Sequence, residues 1–149
     1  MPLDINLVAQ GLLAQREHSK YELTKKLLAK GFDSALIDST LKNLIQQGLQ
    51  SDFRYAELCL ISRLNKGYGI NYIRQYLQSK GVEAEVIDEI IHHSEADWLN
   101  GLHQLWQKKF AKVPQDIKEK MRQQRFFYYR GFDTETVNEL FNLLKENHE

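Results

Sequence analysis

Apolar residues along this chain recur at intervals of three and four, the spacing that gathers them on one face of a helix, and the pattern predicts helices from end to end. Leu7, Val8, Gly11, Leu12 and Leu13 make a first stripe that runs up to Arg16. Ser19-Lys20-Tyr21-Glu22 has capping-box spacing and opens a second helix with Leu23, Leu27 and Leu28 inward. Asp33 is placed to cap a third, whose inner face is Leu36, Ile37, Thr40, Leu41 and Leu44 and whose stop is Gly48. A second group begins at Ser51 or Asp52 with Phe53, Ala56, Leu60 and Leu64 on one face. It breaks at Gly67-Tyr68-Gly69, because two glycines so close are costly inside a helix. Ile70, Ile73 and Leu77 resume it, and Val86, Ile87, Ile90 and Ile91 close it. In the last group Trp98, Leu102, Leu105 and Trp106 precede a break at Pro114, and Ile117, Met121 and Phe127 follow. Asp133 then stands as a cap before Val137, Leu140, Phe141 and Leu144.

Within this pattern one turn occurs three times. Lys30-Gly31-Phe32, Lys80-Gly81-Val82 and Arg130-Gly131-Phe132 place their glycines fifty residues apart. Each glycine has an apolar residue four positions before it (Leu27, Leu77, Phe127) and another six positions after it (Ile37, Ile87, Val137). Glycine suits a helix end because the terminating residue commonly needs positive φ, which a Cβ penalises. The repetition predicts an all-α chain of three tandem three-helix repeats, resembling helix-turn-helix units, over residues 1–50, 51–94 and 95–149. Gly31, Gly67, Gly69, Gly81 and Gly131 are its structural turns.

Composition narrows the chemistry. The single cysteine, Cys59, excludes an intramolecular disulfide and a cysteine-rich zinc site, and its neighbours Leu58, Leu60 and Ile61 predict a buried apolar role in a reducing compartment. No leader-like start and no long apolar run is present, so the expectation is a soluble cytoplasmic protein without a membrane partner. Gly67-Tyr68-Gly69 beside Lys66 matches neither phosphate-binding glycine motif. His92 and His93 are adjacent and diverge on a helix, so they do not make a helical metal pair. No serine elbow or paired-carboxylate motif occurs, and the expectation is a non-enzyme without metal or cofactor.

Net charge is zero, but its distribution is uneven. Six acids and no lysine or arginine lie between Val82 and Asp97, whereas eight bases and two acids lie from Lys108 to Arg130. Such a basic stripe suits phosphates or an acidic protein surface, or is merely a solvated face. Lys118, Arg122 and Arg125, three and four residues apart, fall on one face of their helix. Arg125 and Arg130 also flank the aromatic run Phe126-Phe127-Tyr128-Tyr129, whose rings serve as core or as base-stacking platforms.

Arg16-Glu17-His18-Ser19 with Glu22-Leu23, Asp52-x-Arg54-Tyr55-Ala56, Arg63-x-x-Lys66-Gly67-Tyr68-Gly69 with Ile73, Leu77-x-x-Lys80-Gly81, and Arg125-Phe126 with Arg130-Gly131-Phe132 occur in that order. Together they resemble the successive motifs of the bacterial RecX regulatory family, over a span from about Leu7 to Leu144. The resemblance implies an elongated, curved, right-handed array that binds the RecA recombinase and its filament on DNA. Such proteins mostly inhibit filament extension, ATP hydrolysis and strand exchange in recombination and repair. Beside these partners, a monomer is expected, with direct DNA binding, where it occurs, weak. The candidate filament contacts are Arg54, Arg63, Lys66, Tyr68 and Arg74 in the middle unit and Lys118, Arg122, Arg125 and Arg130 in the third. Two other readings stay open: a helical DNA-binding protein, against which zero net charge counts, and a protein scaffold without RecA specificity.

Overall fold

Helical spacing along the chain is realised as nine α-helices and no strand in the computed structural model, among the described residues 3–147. They are α1 (Ile5–Gln15), α2 (Lys20–Ala29), α3 (Ser34–Gln46), α4 (Asp52–Asn65), α5 (Ile70–Ser79), α6 (Ala84–His93), α7 (Trp98–Lys109), α8 (Ile117–Tyr129) and α9 (Thr134–Asn147). In chain order they form three three-helix repeats, each with a glycine turn between its second and third helix.

The three turns share one hydrogen-bond pattern. Gly31, Gly81 and Gly131 have φ of 92°, 76° and 93°. The N–H after each glycine reaches back to the carbonyl five residues earlier, from Phe32 to Leu27 at 3.2 Å, Val82 to Leu77 at 3.1 Å and Phe132 to Phe127 at 3.1 Å. The glycine N–H groups themselves donate to Leu28, Gln78 and Tyr128 at 3.0 Å each. These paired bonds satisfy carbonyls that a helix end otherwise leaves open. The predicted flanks Leu27, Ile37, Leu77, Ile87, Phe127 and Val137 are all fully buried.

Helix starts follow the sequence at most positions. Ser19 and Glu22 complete the capping box, with Glu22 N–H donating to Ser19 Oγ and Ser19 N–H donating to Glu22 Oε1, both at 3.1 Å. Asp133 Oδ1 accepts from Thr136 N–H at 2.9 Å. Asp33 differs: it occupies the cap position of α3, yet its side chain accepts no capping bond, and only its carbonyl is engaged, by Ile37 N–H at 2.9 Å.

By its contacts the chain divides into two compact units, one of residues up to Leu58 with Leu77–His93, the other of Cys59–Tyr76 with the residues from Ser94 onward. In the first, Ile5, Ala9, Leu23, Leu27, Ile37, Leu41 and Leu44 form a buried cluster. In the second, Leu102, Trp106, Phe127, Phe132, Val137, Leu140, Phe141 and Leu144 do so.

Several inward assignments are corrected by the burial. Leu7, Gly11, Leu28, Leu36 and Phe53 are exposed, because the buried arc of each helix is narrower than its apolar arc; on α1 it runs through Ile5 and Ala9, with Val8, Leu12 and Leu13 at its edge. Ile117 and Met121 also face outward. The core position that Leu23 and Ile73 fill in the earlier repeats is held in α8 by Gln123, fully buried. It accepts from Trp106 Nε1 and donates to the Lys112 carbonyl, both at 3.1 Å, so its polar groups are satisfied. Cys59 is half-buried rather than buried, since its neighbours Leu58 and Ile61 lie on the exposed side of α4.

Candidate partner-binding surface

In the first compact unit the segment before α2 is a polar knot. Arg16 donates both terminal nitrogens to Glu22, at 3.2 and 3.1 Å, a two-pronged contact that holds the carboxylate. Burial works to raise the Glu22 pKa, but the Arg16 and Ser19 hydrogen bonds and the Lys80 charge, 3.9 Å away, prevail and lower it. His18 is buried. Its Nδ1 lies 2.9 Å from the Arg16 carbonyl and its Nε2 2.7 Å from Lys26 Nζ. A carbonyl only accepts and an ammonium only donates, so the ring is the neutral Nδ1–H tautomer. Burial first, then the charges of Arg16 and Lys26, push its pKa down against the opposing pull of the Arg16 carbonyl and Glu22.

Arg54, a candidate contact, belongs to this knot. Its Nε donates to Glu17 and its Nη2 to the Leu49 carbonyl at 3.3 Å. Gln50 donates to the His18 carbonyl at 3.1 Å and to Asp52 at 3.0 Å, and Asp52 accepts from Lys20 N–H at 2.8 Å. The motif around Arg16-Glu17-His18-Ser19 therefore ties the start of α2 to the start of α4.

In the second compact unit the candidates gather round a column of tyrosines. Tyr68, Tyr72 and Tyr76 follow the helical spacing of four. Their rings stack, with centroids 4.0 Å apart between Tyr68 and Tyr72 and 6.3 Å apart between Tyr72 and Tyr76. Arg130 covers the Tyr68 end at 4.8 Å and Arg63 the Tyr76 end at 4.2 Å. Each such contact contributes roughly 0.5–2 kcal/mol and fixes the guanidinium plane. Burial disfavours the Arg63 charge, but Tyr76, through its charge and its hydrogen bond, outweighs it, and the pKa is raised. Arg130 also donates to the Lys66 carbonyl at 3.4 Å, while the Lys66 side chain is exposed and Arg74 is half-buried.

Gly69 is what lets these parts meet. A Cβ there would fall 2.5 Å from the Phe132 backbone, and its N–H donates to the Arg130 carbonyl at 2.8 Å. Asn71 N–H donates to the Gly131 carbonyl at 2.8 Å, so the turn after α4 is bonded to the turn after α8. Gly67, at φ 89°, ends α4 with the same bond pattern as the repeat turns.

Lys118, Arg122 and Arg125 are all exposed on α8. Arg122 is paired with Glu119 at 2.8 Å, an exposed contact that water screens. The aromatic run divides: Phe126 and Phe127 pack with Phe110 at 5.6 and 5.7 Å, whereas Tyr128 and Tyr129 face outward. Neither the tyrosine column, whose ring faces are taken by other rings and guanidinium groups, nor the partners of Arg54 could be read from local sequence. Both join elements far apart in the chain. Among the described residues there is no group of histidine, cysteine and acidic side chains suited to a metal, and no helix long and apolar enough to cross a membrane.

Comparison with known proteins gives this arrangement a family. Residues 8–44, 51–91 and 95–141 match the first, second and third three-helix domains of RecX. The regulatory protein RecX of Pseudomonas entomophila (strain L48) is 40% identical over 142 residues, covering 95% of this chain and 92% of that protein. The RecX of Legionella pneumophila (strain Corby) is 36% identical, covering 92% of each. The crystal structure of RecX from Lactobacillus salivarius superposes with a TM-score of 0.81 at 16% identity, covering 95% of this chain and 94% of that one. With all three domains matched in order, and full-length relatives carrying the same regulatory name, the chain belongs to the RecX family of regulatory proteins.

Proposed function

We propose that this chain acts as a monomer in the cytoplasm, binding the RecA recombinase and its nucleoprotein filament and restraining filament extension, ATP hydrolysis and strand exchange. It carries out no chemistry of its own. Family membership over three domains supports a regulatory role. The observation that carries the binding mode is the exposed basic face of α8, formed by Lys118, Arg122 and Arg125. A filament offers both acidic protein and phosphate, and a basic face gains from either. In the second compact unit Arg63 and Arg130 add guanidinium groups held in place by the tyrosine column, which lowers the entropy lost on binding.

The test is direct. Added to RecA on single-stranded DNA with ATP, the protein lowers the hydrolysis rate at substoichiometric or comparable amounts while hydrolysing nothing by itself. Replacing Lys118, Arg122 and Arg125 together by glutamine preserves helicity, weakens filament binding and flattens its salt dependence. An unchanged hydrolysis rate together with unchanged filament length would overturn the regulatory reading.

A further inference from the structure

The repeat glycines differ in what lies against them, and the difference marks a vacant seat. In the first compact unit a Cβ on Gly81 would fall 2.5 Å from Tyr21 Cβ, and Lys80 Nζ sits 3.9 Å from Glu22. The turn after α5 is thus received by the first turns of α2. In the second compact unit a Cβ on Gly131 would collide with the Tyr72 backbone, so the turn after α8 is received in the same way by the start of α5.

Counting by fifty, Tyr21 and Glu22 correspond to Asn71 and Tyr72, and then to Met121 and Arg122 on α8. The inward positions keep the same register: Leu23, Ile73 and Gln123, then Leu27, Leu77 and Phe127, are all fully buried. The receiving face of α8 is therefore the same face that α2 and α5 use, but among the described residues its side chains stand exposed. Glu22 has a side chain only 11% exposed, whereas Arg122 is 63% exposed, beside Met121 at 53% and Ile117 at 76%. Two large apolar side chains thus stand exposed among cations on this face, a mixture that plain solvation does not require.

The charge decides what fits. Where α2 offers Glu22 to Lys80, α8 offers Arg122, flanked by Lys118 and Arg125. This chain's own uncovered turn, Lys30-Gly31-Phe32, would bring a lysine to an arginine, so a second copy is disfavoured. A phosphodiester strand would satisfy the arginines and leave Ile117 and Met121 wet. We propose that this face of α8 is a vacant repeat-docking seat that takes an acidic, glycine-terminated helix end of the recombinase. The inference rests on the RecA reading above and assigns the α8 contact to protein rather than to DNA.

Binding is measured to RecA without DNA and to oligo(dT) without RecA, for the parent, Met121→Gln and Arg122→Glu, with helicity checked by circular dichroism. Met121→Gln keeps the charge and removes the apolar contact, so it weakens RecA binding about tenfold and leaves oligo(dT) binding unchanged. Arg122→Glu, which restores the charge found at Glu22, weakens RecA binding at least as much. If Met121→Gln binds RecA as tightly as the parent, or if both variants lose oligo(dT) binding in step with RecA binding, the seat is overturned and the α8 face is a phosphate contact or a solvated one. If the parent itself fails to bind RecA, the recombinase reading falls and takes this assignment with it, a result distinct from the first.

Discussion

Glycine to alanine at the three equivalent turns is one substitution in three environments, and the structure ranks the outcomes. At Gly31, with φ of 92° and nothing within 4 Å of an added Cβ, only the backbone conformation is penalised. That penalty is about 1–2 kcal/mol, offset by about 0.4–1 kcal/mol from the stiffer unfolded chain. The net loss at Gly31 is therefore about 1 kcal/mol. At Gly81 the same penalty is joined by overlap with Tyr21 Cβ at 2.5 Å, an atom fixed to its helix. Overpacking of this kind costs about 1–3 kcal/mol, for a total of about 3 kcal/mol. At Gly131 the obstacle is backbone of Tyr72, and relief would break the Asn71 N–H bond to the Gly131 carbonyl. The loss there is about 4 kcal/mol or more, in the range reserved for named structural faults. For a chain of this length each 1 kcal/mol moves the thermal midpoint by about 2–4 °C. Thermal and urea unfolding followed by far-ultraviolet circular dichroism would give the series Gly31→Ala, Gly81→Ala, Gly131→Ala in rising order of loss. Equal losses at the three sites would refute the claim that the second and third turns are docking points.

The other expectations concern polar groups inside the fold. His18 is held neutral with a lowered pKa, so above the unfolded value of about 6.5 its contribution is intact, and it is lost as pH falls from there through the folded pKa. Thermal midpoints at pH 7 and pH 5 should drop more for the parent than for His18→Gln, whose side chain accepts from Lys26 without titrating; equal drops would remove His18 from the account. Glu22, also lowered, is charged in the fold above its unfolded value of 4.5, and its contribution is lost as pH falls through the folded pKa. A second acid-induced loss below that of His18 should therefore be present in the parent and absent in Glu22→Gln. Gln123→Leu strands the Trp106 Nε1–H and the Lys112 carbonyl, a loss of about 1–3 kcal/mol for each group left unpaired. Chemical denaturation of Gln123→Leu and of Gln123→Leu with Trp106→Phe should show part of the loss recovered in the double variant.

What could be read in advance was whatever depends on near neighbours. The turns at Gly31, Gly81 and Gly131 are local, because the φ requirement and its bonds lie within six residues, and their flanks were found inside. The capping box at Ser19 is local in the same sense. Inward faces were legible in part, since a helix carries more apolar residues than it buries: Leu7, Leu28 and Leu36 have the right spacing and the wrong side. Gln123 in a core position has no local signal at all, because its partners come from α7 and from the Lys112 carbonyl. The candidate contacts divide similarly. Lys118, Arg122 and Arg125 could be placed together by counting along one helix, whereas the clamping of the tyrosine column by Arg63 and Arg130 depends on a long-range meeting of turns.

A tandem repeat separates two kinds of position, and their different behaviour tells fold from function here. Positions 23, 73 and 123, and 27, 77 and 127, are buried in every copy, and all but Gln123 are apolar; they hold each helix on its core. The positions just before them, 22, 72 and 122, are glutamate, tyrosine and arginine. Burial cannot dictate that variation, since in the first two copies the same position meets the next repeat's turn and in the third it meets solvent. Glu22 answers Lys80, and Tyr72 lies under Gly131 inside the column that Arg63 and Arg130 close. Arg122 meets Glu119 three residues away, a pair too exposed to repay two long side chains, and lies over the edge of the core at the Phe110 ring, 5.7 Å from its centroid, yet stays largely in solvent. Arg122 between Lys118 and Arg125, beside Ile117 and Met121, makes a mixed charged and apolar surface, and the protein contact proposed above accounts for both parts of it where a phosphate contact accounts only for the charge.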